Sequence, residues 1–125
     1  MSLFKLGDFI LHSGSKSNFF IDCDALADAD WQALARLIYD KGFRFRKVVS
    51  IPKGGLKLAE ALKPYCFPNP EYPVLVVDDV LTTGKSMEEE KEKYSGEVKG
   101  VVIFSRGVCP DWITPIFQLH ETFGR

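Results

Sequence analysis

The stretch VLVVDDVLTTGKS, residues 74–86, constrains this chain more than any other. Its first four residues are uninterruptedly apolar and mostly β-branched. That pattern suits a strand covered on both faces, because a half-exposed strand would alternate. Two acids, Asp78 and Asp79, follow at the strand's end, and then a turn of hydroxyls, glycine and lysine: Thr82, Thr83, Gly84, Lys85 and Ser86. The next segment, SMEEEKEKYSG, reads as an exposed charged helix starting near Ser86 and closed by Gly96. A strand buried on both faces needs helices on both sides, which predicts an α/β fold with a mainly parallel sheet flanked by helices.

The rest of the chain has the same rhythm. FILHSGSKSNFFIDC, roughly 9–23, reads as two short extended pieces joined by a Ser-Gly-Ser loop. DADWQALARLIYDKG sets Trp31, Leu34, Ala35 and Ile38 on one helical face, with Asp28 or Asp30 to cap its start and Gly42 to end it. KVVSIP is a short strand ending at a Pro-Lys-Gly-Gly turn, and GLKLAEALKPY a helix with Leu58, Ala61 and Leu62 inward, stopped by Pro64. KGVVIFSR and TPIFQLHE supply two more strands. Loops 51–55 and 78–86 each follow a strand directly, so both are expected along the carboxyl edge of the sheet, where open α/β folds bind ligands. At 125 residues, with no linker or repeat, the chain is expected to form a single domain, a small N-terminal segment of about 1–24 preceding a core of 25–125.

Charge and cysteines narrow the class. Sixteen basic against seventeen acidic residues leave a formal charge of −1, which offers no global support for nucleic-acid binding. Arg44, Arg46 and Lys47 read as a solvated loop. Cys23, Cys66 and Cys109 are odd in number and form no CxxC pair. With only His12 and His120 besides, no zinc set is spelled out. A reduced, cytoplasmic setting is the expectation. No apolar stretch approaches the ~20 residues that span a bilayer, and MSLFKLGDFI lacks the apolar core of a signal peptide.

The acids and the turn describe a ligand with two ends. Backbone amides at a turn opening into a helix hold phosphate, and Gly84 with its flanking hydroxyls fits that task. Asp78 and Asp79 would repel phosphate but accept hydrogen bonds from a sugar diol. Ribose 5-phosphate satisfies both halves. In the plainer alternative the acids merely cap the loop, and the rest is an ordinary helix start. A nucleoside-triphosphate P-loop is excluded, since its first glycine would fall where Asp79 stands.

VVDDVLTTGKS resembles the signature of type I phosphoribosyltransferases: an apolar strand, two acids, two variable residues, then Thr-Thr-Gly and small polar residues. LHSGSKSNFFID is similar to the N-terminal element of the orotate phosphoribosyltransferases, with Ser13, Gly14, Ser17, Phe19, Phe20 and Asp22 on the pattern. SIPKGGLKLAEAL resembles their pyrophosphate loop and following helix, and GVVIFSR the later strand that ends in a base-binding arginine. The resemblance implies that the N-terminal segment is a hood over the base, formed with Phe19, Phe20 and Arg106. It implies phosphoribosyl pyrophosphate (PRPP) as ligand, with ribose and 5′-phosphate at Asp78, Asp79 and Thr82–Ser86. Pyrophosphate would lie at Pro52, Lys53, Gly54 and Gly55, with Asp78, Asp79 and Lys53 as catalytic residues. Magnesium is implied on the pyrophosphate and ribose oxygens, with Asp78 and Asp79 as candidate protein ligands. A homodimer is also implied, with a pyrimidine-like base such as orotate as acceptor and no nucleic-acid or membrane partner.

The sequence departs from that family between its second helix and the acid pair. There the family carries a strand and a mobile Lys-, Glu- and His-bearing loop, and this chain has only KPYCFPNPEYP. His12 and Lys85 also stand at positions where the pattern differs. Lys85 would either add charge to the phosphate site or point outward, and His12 is either a loop residue or catalytic. Because closure of such a loop completes a catalytic site, two functions remain open: a minimal phosphoribosyltransferase, or a non-catalytic PRPP- or nucleotide-binding relative with a sensing or regulatory role.

Overall fold

The computed structural model describes residues 2–10 and 16–118. His12, Ser13, Gly14 and His120 lie outside the described residues. The elements run β1 (Phe4–Ile10), β2 (Lys16–Ile21), a 3-10 turn (Cys23–Ala25), α1 (Asp28–Asp40), β3 (Lys47–Ser50), α2 (Leu56–Leu62), a 3-10 turn (Lys63–Tyr65), β4 (Val74–Leu81), α3 (Lys85–Lys91), β5 (Val98–Ser105) and β6 (Ile113–Gln118). Strands β3-β4-β5-β6 form a sheet in that order with every pair parallel, while β1 and β2 form a separate antiparallel hairpin. The expected α/β sheet flanked by helices, with a small N-terminal hood-like element, is the fold observed.

Apolar runs set the layers. Leu75 and Val77 of β4 and Val101 and Ile103 of β5 pack with Trp31, Ala35 and Ile38 of α1 and Leu58, Ala61 and Leu62 of α2. Val74, Val76 and Val102 face the other way, against Met87 of α3 and Ile113 of β6. Full burial of each such Leu, Ile or Met contributes roughly 1.5–3 kcal/mol relative to exposure, which drives both layers together. α1 and α2 therefore cover one face of the sheet and α3 the other.

Several element ends differ from the sequence expectation. β1 starts at Phe4, upstream of the segment read as extended. Tertiary contacts hold it: Asp22 N donates to Leu3 O at 2.6 Å, Lys5 pairs with Asp22 at 2.8 Å, and the Phe4 ring meets Phe104 edge-on at 5.9 Å. At the start of α1 the carboxylate of Asp30, not Asp28, accepts the Ala27 N–H at 2.8 Å. β4 continues through the acids to Leu81 because Asp78 and Val80 pair with Val102 and Phe104. α3 ends at Lys91 rather than near Gly96. Just beyond it, Glu90 draws in Lys93 and Tyr94 at 3.0 and 2.9 Å, and the chain turns away.

Candidate functional site

At the carboxyl edge of the sheet a cavity of about 230 Å³ opens between the 51–54 turn, the 78–87 segment and the hairpin. Loops 51–55 and 78–86 do lie along one edge, as expected. β3 and β4 end there side by side, with Ser50 paired to Val77, and Ile51 N donates to Val77 O at 2.9 Å. Asp78, Asp79, Thr82, Thr83, Gly84, Lys85 and Ser86 all contribute to the lining, as do Pro52, Lys53 and Gly54. From the hairpin come Ile10, Phe20 and Ile21, and from the end of β5, Arg106.

The two acids occupy successive positions on one strand and meet different neighbours. Asp79 lies against the 52–55 turn so closely that a Cβ on Gly54 would collide with its carboxylate. Only glycine leaves that space. Asp79 also accepts the Val80 N–H at 2.7 Å, and Asp78 accepts the Asp79 N–H at 2.8 Å. Burial pushes the Asp78 carboxyl well above the usual carboxylate range, and the adjoining Asp79 adds to the effect. Behind them sits Cys23. Its thiol is pushed up to about 12, first by burial and then by the negative field of Asp79 and its acidic neighbours. Such a thiol is no nucleophile at neutral pH.

Gly84 takes φ +81° at the head of α3, a conformation that lets the turn curl back on itself, and Lys85 N approaches Thr83 Oγ1 at 3.4 Å. Thr82, Thr83, Lys85 and Ser86 are exposed around it. Lys85 is exposed and is among the residues that line the cavity.

Two residues named from the sequence stand back from the cavity. Gly55 is buried behind the turn, its N–H given to Ile51 O at 3.0 Å, and a Cβ there would strike the Val77 carbonyl. Its part is to shape the turn. Phe19 lies under Arg106, the guanidinium carbon 3.8 Å from its ring centre, while Phe20 contributes the aromatic wall. Sequence reading gave no role to Ile10, Ile21, Ile51 or Met87 in the lining. No local pattern marks them, because a core position and a cavity wall share the same apolar signal.

Known proteins were compared at the levels of family, sequence and structure. No family model matches the chain, and no curated protein sequence matches it. Solved structures do. Orotate phosphoribosyltransferase from Aeropyrum pernix superposes with a TM-score of 0.72 at 24% identity, covering 93% of this chain and 88% of that one. The fold is that of the orotate phosphoribosyltransferases. The Mycobacterium tuberculosis orotate phosphoribosyltransferase, solved with Fe(III) dicitrate, gives 0.66 at 16% identity over 93% and 89% of the two chains. Leishmania donovani UMP synthase gives 0.69 at 18% identity, covering 95% of this chain and 34% of its own. At these identities the likeness is one of fold.

Among the described residues no group of three or more His, Cys, Asp or Glu side chains could hold a metal ion alone. Two adjacent carboxylates suit a hard cation that takes its remaining oxygens from a phosphorylated ligand and water, as magnesium does. Asp79 fits that partial role directly, and Asp78 fits it where the cation offsets the burial that opposes its charge. Among the described residues no helix is long and apolar enough to cross a membrane.

Proposed function

We propose that this chain is a minimal phosphoribosyltransferase that moves the phosphoribosyl group of PRPP to a pyrimidine-like base such as orotate. One observation carries the reading: the acid pair, the Thr82–Ser86 turn, the Pro52–Gly54 turn and the hairpin with Arg106 converge on a single cavity. Asp78 and Asp79 accept the ribose hydroxyls, the 82–86 turn takes the 5′-phosphate, and Lys53 with the 52–54 backbone takes pyrophosphate. The base enters between Phe20 and Arg106, whose guanidinium matches a carboxylate in shape and charge. In the reaction the bond between the ribose anomeric carbon and pyrophosphate oxygen breaks, its electron pair leaving with pyrophosphate. A ring-nitrogen lone pair of the base forms the new bond, and the proton that nitrogen carried is released to solvent. Acids beside the ribose and a lysine at the leaving group stabilise charge that develops only then. Magnesium, held through PRPP with Asp78 and Asp79 nearby, would supply further charge neutralisation on the pyrophosphate.

A single domain, a cytoplasmic setting and a homodimer complete the reading, and light scattering tests the last. A second reading, nucleotide binding without turnover, is favoured by the short 66–73 connection. It also draws on a Neisseria gonorrhoeae hypothetical protein with bound ppGpp, which shares the fold at a TM-score of 0.53 and 19% identity over 75% of this chain. Protein mixed with PRPP, magnesium and orotate should release pyrophosphate. The Asp78→Asn/Asp79→Asn double variant should reduce that release at least ~100-fold, as loss of transition-state charge stabilisation does. Binding of PRPP without release would select the second reading, and equal release by the double variant would end the first.

A further inference from the structure

Ser17 lies on the hairpin, 89 positions from Arg106 in sequence, yet its hydroxyl accepts a short hydrogen bond from Arg106 Nη2. The same hydroxyl donates to Phe19 O at 2.7 Å and accepts from Phe19 N at 3.2 Å. A serine hydroxyl has one proton to give and two lone pairs, so these three bonds use its full capacity. Arg106 Nη1 reaches Phe19 O at 3.4 Å, and its guanidinium carbon stands over the Phe19 ring, 3.8 Å from its centre. At the other end Arg106 N donates to Leu81 O at 3.0 Å, one residue before the phosphate turn. The backbone of Arg106 is thus fixed to the sheet and its head group to the hairpin.

We propose that Ser17 is a positioning residue: it sets the plane of the Arg106 guanidinium in the cavity and so makes the base subsite selective for a carboxylate-bearing heterocycle. An arginine on a flexible stem meets a carboxylate bidentately only when its fork is held at one angle, and ordering it beforehand removes an entropic cost from binding. The Phe19 ring supports the guanidinium from one side, and the Ser17 hydroxyl, holding Nη2, sets its plane. Threonine preserves the hydroxyl in a strand, whereas alanine removes the Nη2 tie and keeps the Phe19 contacts. This inference rests on the phosphoribosyltransferase reading for its ligand but not for the Ser17–Arg106 link itself.

The test compares wild type, Ser17→Ala and Ser17→Thr by calorimetry with two probes. Ribose 5-phosphate touches only the sugar-phosphate half, while orotidine 5′-phosphate adds the base and its carboxylate. Ser17→Ala should weaken orotidine 5′-phosphate about tenfold, the scale of one charge-assisted hydrogen bond. Ribose 5-phosphate should stay within about twofold, and Ser17→Thr should restore the loss. Equal weakening of both probes, or of neither, would overturn the proposal. In the ligand-free protein rotation about the Arg106 Cζ–Nη2 bond, read by NMR, should be slow in wild type and Ser17→Thr and faster in Ser17→Ala, because the Ser17 hydroxyl holds Nη2. Unchanged rotation in Ser17→Ala would overturn the link independently. If wild type binds neither probe, the reading under Proposed function falls, and the rotation alone then decides for or against Ser17.

Discussion

Asp78 is a side chain whose surroundings oppose its charge. Its carboxyl is pushed up from an ordinary value of 3.8 by burial first and by Asp79 second. The folded state therefore holds that proton more tightly than the unfolded chain does. The sign follows: the group's contribution to stability is greatest below about pH 4 and is lost as pH rises toward its raised value. Asp78→Asn, which keeps an acceptor for the Asp79 N–H without the charge, should raise Tm by about 4 °C near pH 8, the shift expected for ~1 kcal/mol. Near pH 3 it should leave Tm unchanged. Melting curves across that range check the prediction, and a Tm gain that persisted at pH 3 would refute it. That two acids follow the apolar run of β4 was legible in the sequence, although the strand continues past them to Leu81. Their unequal surroundings were not, because desolvation depends on which atoms close over a group rather than on its neighbours in the chain.

At the scale of elements, α3 needs help to stay in place. It spans only Lys85–Lys91, too short to be stable by itself. Met87 anchors it in the core. Outside the core, Trp112, just ahead of β6, donates Nε1–H to Glu88 Oε1 at 2.6 Å, and Lys91 sits 5.0 Å over the indole ring. Trp112→Phe keeps an aromatic ring and removes that donor. It should lower stability by about 1 kcal/mol, read as a smaller denaturation midpoint with an unchanged m-value; an unchanged midpoint would mean that Met87 alone holds the helix. Gly84 and the polar turn announced where α3 begins. The tie to Trp112 could not be read, since the two residues are 24 positions apart and share no local pattern.

At the scale of the whole molecule, the two helical connections present a topological oddity. β3-α2-β4 and β4-α3-β5 step the same way across the sheet, yet α2 covers one face and α3 the other. They are therefore of opposite hand, although about 98% of such crossovers are right-handed. The connection through α2 is also the one that the sequence marks as contracted. The cavity is formed across both connections, so ligand should stabilise the molecule as a unit. PRPP with magnesium at ~100 times its dissociation constant should add about 2.7 kcal/mol and raise Tm by ~10 °C. The Asp78→Asn/Asp79→Asn variant should show no such rise, and an equal shift in both proteins would place the ligand elsewhere.

The sequence alone determined the strand–helix order, the double-sided burial of β4 and the tight turn at Gly84, all of which are written in local periodicity and backbone preference. It also placed the Pro-Lys-Gly-Gly turn after β3 and Arg106 just after β5. Tertiary structure alone decided that Gly54 makes room for Asp79, that Arg106 is held by Ser17 and Phe19, and that β1 begins at Phe4. These depend on surfaces far apart in the chain meeting face to face, where burial and hydrogen bonding are set by contact, not by order along the backbone.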